Sequence, residues 1–468
     1  MSPALSSSGH PGVNAAAAAV VLAGVSAALH MAKLFPALPV LRESFGISWV
    51  QAGFLLSAVQ LAGMTLGLAA GLLADGFGLK RCMLAGLGVL AGAGALAGWM
   101  QTATQLLALR ALEGIGFLLV CTPAPALIRQ LVAPSRLGAV LGIWSAYMPF
   151  ATALALLLGP ALILLAGWQV WWWILSALSL GMAAWLWRVV PSDAALKATA
   201  KAVSASVPER VAGQGQPSVG GTAGTAWSHR LSQTLSHRGP WLVALTFAAY
   251  SGQWVAVIGF LPSIYAQAGF AVGATAWLTA LAAAVNIVGN VASGRLLSRG
   301  VRPQTLLYTG FCVMGVAAFV AFTSFGAATT ATFTAAATTS TTSTAATTAS
   351  AAAPAMSAAS DGAGLLAMVR YIAVLLFSMV GGVIPGTLFT LAVRLAPGHD
   401  TVSTTVGWMQ QWSAFGQFAG PPLVAWVASS VGGWQWTWGV TTGCAAVGVL
   451  LARQLGRQLE PLHHAKTA

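Results

Sequence analysis

The sequence predicts an all-α membrane protein of about twelve transmembrane helices, arranged as two parallel six-helix bundles. Three observations lead there. Of 468 residues, 57% are hydrophobic and only 6% are charged, against roughly 25% charged in a soluble domain. Twelve apolar runs reach the length of about 20 residues that a span requires. The first half of the chain recurs, in order, in the second.

The apolar runs fall at residues 14–39, 49–72, 82–100, 105–128, 137–162, 168–190, 240–262, 273–297, 304–324, 364–393, 402–428 and 434–454. The first thirteen residues hold no Lys or Arg. The first run therefore lacks the basic start of a secretory signal and reads as a retained span. An even number of spans puts both termini on one side. With the termini cytoplasmic, seventeen of the 21 basic residues lie in or beside cytoplasmic loops, among them Lys80, Arg81, Arg129, Arg136, Arg295, Arg299, Arg302 and Arg394. Only Arg42 lies in an outer loop, and Lys33, Arg110 and Arg370 fall inside spans. That asymmetry sets the orientation, and the expected location is the plasma (inner) membrane. The formal net charge of +13 is no nucleic-acid signature, because the basic residues stand in ones and twos between apolar runs. Cys82, Cys121, Cys312 and Cys444 are far apart, with neither metal-ligand nor disulfide spacing.

Two stretches are too polar to span. Residues 191–239 read as a cytoplasmic linker between a first bundle, 1–190, and a second, 240–454; residues 455–468 form a cytoplasmic tail. Residues 325–363 carry an Ala/Thr/Ser run and read as a disordered outer-loop insert. The repeat locates that insert. Leu38-Pro39 with Gly46 recurs as Leu261-Pro262 with Gly269, at an offset of 223. Arg110 matches Arg370 at 260, and Gly167-Trp168-Gln169 matches Gly433-Trp434-Gln435 at 266. The offset grows by about the length of the insert, which thus entered the second copy between its third and fourth spans. Six spans per copy give the copies one orientation, and parallel repeats place a binding site between them near the midplane.

The loop after the second run reads Gly71-Leu-Leu-Ala-Asp75-Gly-Phe-Gly78-Leu-Lys80-Arg81, and the fourth run holds Arg110-x-x-x-Gly114-x-Gly116. Both resemble signatures of the major facilitator superfamily, and the resemblance covers essentially the whole chain. Stretches such as LGIWSAYMPF look loosely like its cyanate-permease branch. Gly76 stands where that loop commonly has Arg, and the second half has Ser298 where Asp75 stands. The fifth run has Gly159-Pro160 but lacks the other glycines of the antiporter signature. The resemblance implies alternating access, with Gly71, Asp75, Gly78, Lys80 and Arg81 as a gating motif. A carboxylate at that helix end can accept from a helix N-terminus and from nearby arginines, and so latch the halves. Gly63, Gly67 and Gly71 recur every four residues, which lets a neighbouring helix approach closely.

The polar residues inside the spans are the candidate site. A Lys or Arg at the bilayer centre costs roughly 2.5–3.5 kcal/mol on insertion scales. Lys33, Arg110 and Arg370 each lie about six residues inside an outer helix end, about 9 Å deep at the helical rise. Arg110 and Arg370, as repeat mates, are expected to face each other across a central cavity. The acid at that depth is Glu113. His30 stands one turn from Lys33, and Gln253 occupies the position matching His30. Trp254, Asn286, Gln410, Gln411 and Trp412 complete the set. The bland alternatives are arginines that snorkel to the surface and amides that satisfy a neighbouring helix.

These residues point to secondary transport of a small solute, an organic or inorganic anion, by a monomer without metal or cofactor. Anion uptake opposes an inside-negative potential by about 2.3 kcal/mol per charge per 100 mV, so an importer needs a co-transported cation or an exchanged anion, and Glu113 and His30 are the candidate proton carriers. One alternative is a proton-coupled efflux pump for hydrophobic compounds, which predicts an acid in the first span. Another is a non-transporting receptor, for which the linker is too short and polar. No nucleophile–base pair or phosphate loop suggests an enzyme.

Overall fold

The computed structural model describes residues 11–196, 198, 223–323, 349–398 and 401–467. Its helices are α1 (Pro11–Ala32), α2 (Leu34–Phe45), α3 (Trp49–Ser57), α4 (Leu61–Phe77), α5 (Leu79–Ala97), α6 (Ala103–Cys121), α7 (Ala124–Leu131), α8 (Pro134–Ser145) and α9 (Tyr147–Val189). After the gap come α10 (Ala223–Ser236), α11 (Arg238–Gln267), α12 (Val272–Ala284), α13 (Asn286–Ser298), α14 (Pro303–Phe322), α15 (Ala349–Gly381), α16 (Val383–Arg394), α17 (Val402–Val431) and α18 (Thr437–Thr467). The described residues contain no strand.

Nine stretches among the described residues are long and apolar enough to cross a membrane. One of them, α9, is two rods: Gly167, at φ +85°, interrupts its helical backbone. The rods α17 and α18 complete the positions of the twelve apolar runs. Several rods are broken in mid-course for local reasons. Lys33 is a single turn residue between α1 and α2, and Pro36, three residues on, has no N–H to continue the ladder. A short 3₁₀ segment at Ala58–Gln60 joins α3 to α4. The expected linker and insert lie partly outside the described residues. Where they are described they are mostly helical, as α10 and as the first turns of α15.

The surface carries large apolar side chains in the open: Leu164 and Leu165 are 73% and 82% exposed, and Trp277 is 68% exposed. Patches of that kind need an apolar partner, and a bilayer supplies it. This is a multi-pass integral membrane protein. Inside, α1 packs on α6 and α9, and α5 on α6 and α9; α11 packs on α17 and α18, and α14 on α15 and α18. Three seams join helices before residue 190 to helices after 238: α3 and α4 against α17, α9 against α12, and α2 against α11. At one end of the molecule Trp49 packs edge-on against Phe260 and Trp434, with ring centroids 6.2 and 5.0 Å away.

Candidate functional site

Four of the predicted polar residues meet in one enclosed cluster. His30, Lys33, Arg110 and Glu113 are all fully buried. The helices put them there by simple spacing. Arg110 and Glu113 are one turn apart on α6, and His30 and Lys33 one turn apart at the end of α1, so each pair shares a face. Glu113 bridges the two helices. Its Oε1 accepts from Lys33 Nζ, and its Oε2 accepts from Arg110 Nη1 at 2.6 Å. Arg110 also donates to the main-chain oxygens of His30, at 2.6 Å, and Met31, at 3.2 Å. Lys33 Nζ lies 3.2 Å from His30 Nδ1 and 4.8 Å from the centroid of the Trp172 ring. Trp171 donates to the Lys33 carbonyl at 3.2 Å, helping to hold the seam between α1 and α2.

His30 has a defined orientation. Its Nε2 lies 3.2 Å from the Leu175 carbonyl and 2.9 Å from Ser179 Oγ, and Ser179 Oγ is 3.0 Å from Ser26 Oγ. A carbonyl only accepts, so Nε2 carries the proton and Nδ1 is the bare nitrogen that faces Lys33. Close helix packing encloses the set. A Cβ on Gly94 would fall 2.6 Å from Ser176 Oγ and 3.0 Å from His30 Cε1, and one on Gly114 would fall 2.2 Å from the Val59 carbonyl. The glycines of the Arg110-x-x-x-Gly114-x-Gly116 motif are therefore what lets α6 carry two charges into a dry interior.

Arg370 is not brought to Arg110. It is half-buried on α15 and donates to the Thr323 carbonyl, at the end of α14, at 2.8 Å. The repeat places the two arginines at matching positions, but Arg110 turns inward to Glu113, and no acid stands one turn along α15 to draw Arg370 the same way. The expected facing pair across a cavity does not form in this structure. The charged cluster lies between α1, α5, α6 and α9, all from the first part of the chain.

The remaining candidates are distributed along the second part. Asn286 donates to Tyr250 Oη at 3.1 Å and to the Ser378 carbonyl at 2.7 Å, and Trp254 donates to Ser378 Oγ at 3.1 Å. Gln253 is buried and donates to the Ala249 carbonyl of its own helix at 3.0 Å. Gln411 is tied to the backbone of α4. Trp412 packs among Trp241, Trp408 and Phe415, and Gln410 is exposed.

In the loop motif, Gly71 and Asp75 lie in α4, and their side chains are outside the described residues. Gly78 adopts φ +107°, a backbone region that disfavours other residues. Lys80 Nζ donates to the main-chain oxygens of Val190 and, at 2.8 Å, of Trp187. Asp193, which sequence reasoning passed over, accepts from the backbone N–H groups of Lys80 at 3.0 Å and Arg81 at 3.2 Å. It thereby caps α5. Its only sequence signal was an acid just past an apolar run, in a chain with eight acids in all. Ser26, Ser179, Gln60 and Gln417 were also missed, because a serine or glutamine in a span gives no periodic signal of its own.

The described residues thus form a helical membrane protein with an enclosed charged cluster and seams between its two parts. The Major Facilitator Superfamily profile matches residues 17–378, and the chain is a member of that family. It is 34% identical over 125 residues to the Methylenomycin A resistance protein of Bacillus subtilis (strain 168), covering 26% of each chain. It is 30% identical over 124 residues to the Tetracenomycin C resistance and export protein of Streptomyces glaucescens, covering 26% of this chain and 22% of that one. The match thus spans about a quarter of the length of these curated relatives. Crystal structures of a bacterial homolog to the human lysosomal transporter Spinster share the fold. The inward-facing, unoccupied form superposes with a TM-score of 0.65 at 14% identity, covering 96% of this chain and 98% of that one. The occupied form gives 0.67 at 15%, covering 94% and 96%.

Proposed function

We propose that this transporter moves a small anionic solute by alternating access, coupled to protons through the Lys33–Glu113–Arg110–His30 cluster. The observation that supports the reading is the charge of that cluster. Two cations and one carboxylate, with a neutral imidazole, leave an excess of one positive charge in an interior closed to water. Such a charge is costly at membrane depth, and an arriving anion relieves it. Lys33 and Arg110 serve as the anion-facing pair once the helices part, and Arg370 offers a further cation beside Thr323. The protein acts as a monomer in the inner (plasma) membrane with both termini cytoplasmic, an orientation supported by the basic residues.

Proton-coupled export of hydrophobic compounds is the second reading. It is favoured by the relatives named for resistance to methylenomycin A and for resistance to and export of tetracenomycin C. It is also favoured by Glu113, which supplies against α1 the acid that α1 itself lacks. Thermal unfolding of the purified protein against two panels separates the readings. One panel holds small anions such as formate, nitrate and phosphate; the other holds uncharged lipophilic compounds. Stabilisation by an anion, lost in Arg110→Ala, supports the first reading. Stabilisation by the lipophilic panel alone overturns it in favour of the second.

A further inference from the structure

We infer that the proton exchanged in this cluster belongs to Lys33, and that Glu113 is a fixed counter-charge rather than the carrier. The inference rests on the proton-coupling reading and deepens it. Glu113 is held from both sides, Oε1 by Lys33 and Oε2 by Arg110. Protonating it would break both ion pairs and raise the enclosed charge from +1 to +2. Protonating His30 would leave those pairs in place but also raise the charge to +2, beside a lysine at 3.2 Å and with the Glu113 carboxylate, 3.5 Å from Nδ1, already engaged by Lys33 and Arg110. Arg110 does not lose its proton in proteins. Lys33 is the one member whose change of state lowers the enclosed charge, from +1 to zero. In a low-dielectric interior an uncompensated charge is the expensive state, so the cluster changes state at Lys33.

The surroundings agree. Among the described residues, Lys33 touches Glu113 on α6 and His30 on α1, and Arg110 stands beyond, on the other oxygen of Glu113. The helix α9 contributes the Trp172 ring and the Trp171 indole N–H, and α5 presents Gly94 to the cluster. The departing proton has a first acceptor in place: the bare Nδ1 of His30, whose Nε2–H points to Leu175 and Ser179. An Nζ–H bond breaks and an Nδ1–H bond forms. The imidazolium then gives its Nε2 proton to water admitted when α1 and α9 part, which restores a neutral ring.

A transport rule follows. The cluster is electrically neutral in two states: Lys33 charged with an anion bound, and Lys33 uncharged with the site empty. Those two states cross the closed conformation most cheaply, so anion and proton travel in the same direction.

The test needs no known substrate. The chain has five lysines, so protein carrying ¹⁵N-labelled lysine, in liposomes, can be titrated by solid-state NMR while infrared difference spectra of the same sample follow carboxyl protonation. The expected result is one lysine nitrogen that switches from ammonium to amine as pH rises while the other lysines stay ammonium. That signal is absent from Lys33→Arg, and no carboxylic-acid band is lost in Glu113→Gln. Lys33→Arg keeps the charge, and its circular dichroism reports whether it is folded. A carboxylic-acid band present in the wild type and missing in Glu113→Gln overturns the inference while leaving proton coupling standing. If neither group changes state, this assignment falls, and proton coupling is left to His30.

Discussion

Gln411 on α17 clasps the backbone of α4 at Met64, donating from its side-chain nitrogen to the Met64 carbonyl at 2.9 Å. Its side-chain oxygen accepts from the Leu68 N–H at 3.3 Å, so one amide bridges two successive turns of a helix from another part of the chain. Gly67 makes room for it, since a Cβ there would lie 3.3 Å from the Gln411 Cβ. One and a half turns further along α17, Gln417 accepts from Gln60 at 2.9 Å across the same seam.

Replacing Gln411 with Leu removes both bonds to α4 and leaves a side chain of similar bulk. At a net 0.5–1.5 kcal/mol per hydrogen bond, the loss is about 1–3 kcal/mol. The thermal unfolding temperature of the detergent-purified protein should fall accordingly. Spin labels placed on α4 and α17 should also report a broader distance distribution than in the parent. An unchanged distribution would show that the clasp does not hold the seam.

The same seam makes a prediction about glycine. A Cβ on Gly53 would lie 2.8 and 2.9 Å from the Cα and N of Pro422, which are backbone atoms that cannot swing aside. Gly53→Ala should therefore destabilise by about 1–3 kcal/mol, the usual range for overpacking. Gly88→Ala is the control, because a Cβ at Gly88 meets nothing within 4 Å. Equal unfolding temperatures for the two variants would count against the close approach of α3 and α17.

Removing one member of the charged cluster should cost more than removing two. Glu113→Gln leaves Lys33 and Arg110 facing each other without a counter-charge, a loss of about 3–5 kcal/mol for a broken buried pair. Lys33→Met combined with Glu113→Gln removes one charge of each sign and should recover a substantial part of that loss. A double-mutant cycle by chemical or thermal unfolding measures the recovery. Additive effects would mean that the two side chains are not coupled.

Asp193→Ala uncaps α5. The backbone N–H groups of Lys80 and Arg81 lose their acceptors, at an expected cost of about 0.5–2 kcal/mol. Asp193→Asn retains an acceptor and loses only the charge at the helix N-terminus, about 0.3–1 kcal/mol. Amide hydrogen exchange at Lys80 and Arg81 should accelerate in the order wild type, Asn, Ala. Protection unchanged in the alanine variant would remove Asp193 from the loop motif.

The sequence by itself determined that this is a helical membrane protein and where its rods lie. The reason is solvation: a run of about 20 apolar residues has one stable placement, and in a bilayer its backbone has one way to satisfy itself. It also identified Lys33, Arg110, Glu113 and His30 as the charged and titratable residues worth watching, because charge inside a span is conspicuous. Only the tertiary structure decided what those residues touch. Arg110 and Arg370 match in sequence and differ in space, since the partner that turns an arginine inward, Glu113, stands on one helix and has no counterpart on the other. Gln411 looked like a lining residue and is a clasp, because a glutamine reads alike whether it faces a solute or the backbone of a neighbouring helix. Asp193 became a cap only when the end of α9 came to rest beside the start of α5. Burial fixes the spans one residue run at a time; contacts between spans depend on helix rotation and crossing, which small residues such as Gly94 and Gly114 permit but do not announce.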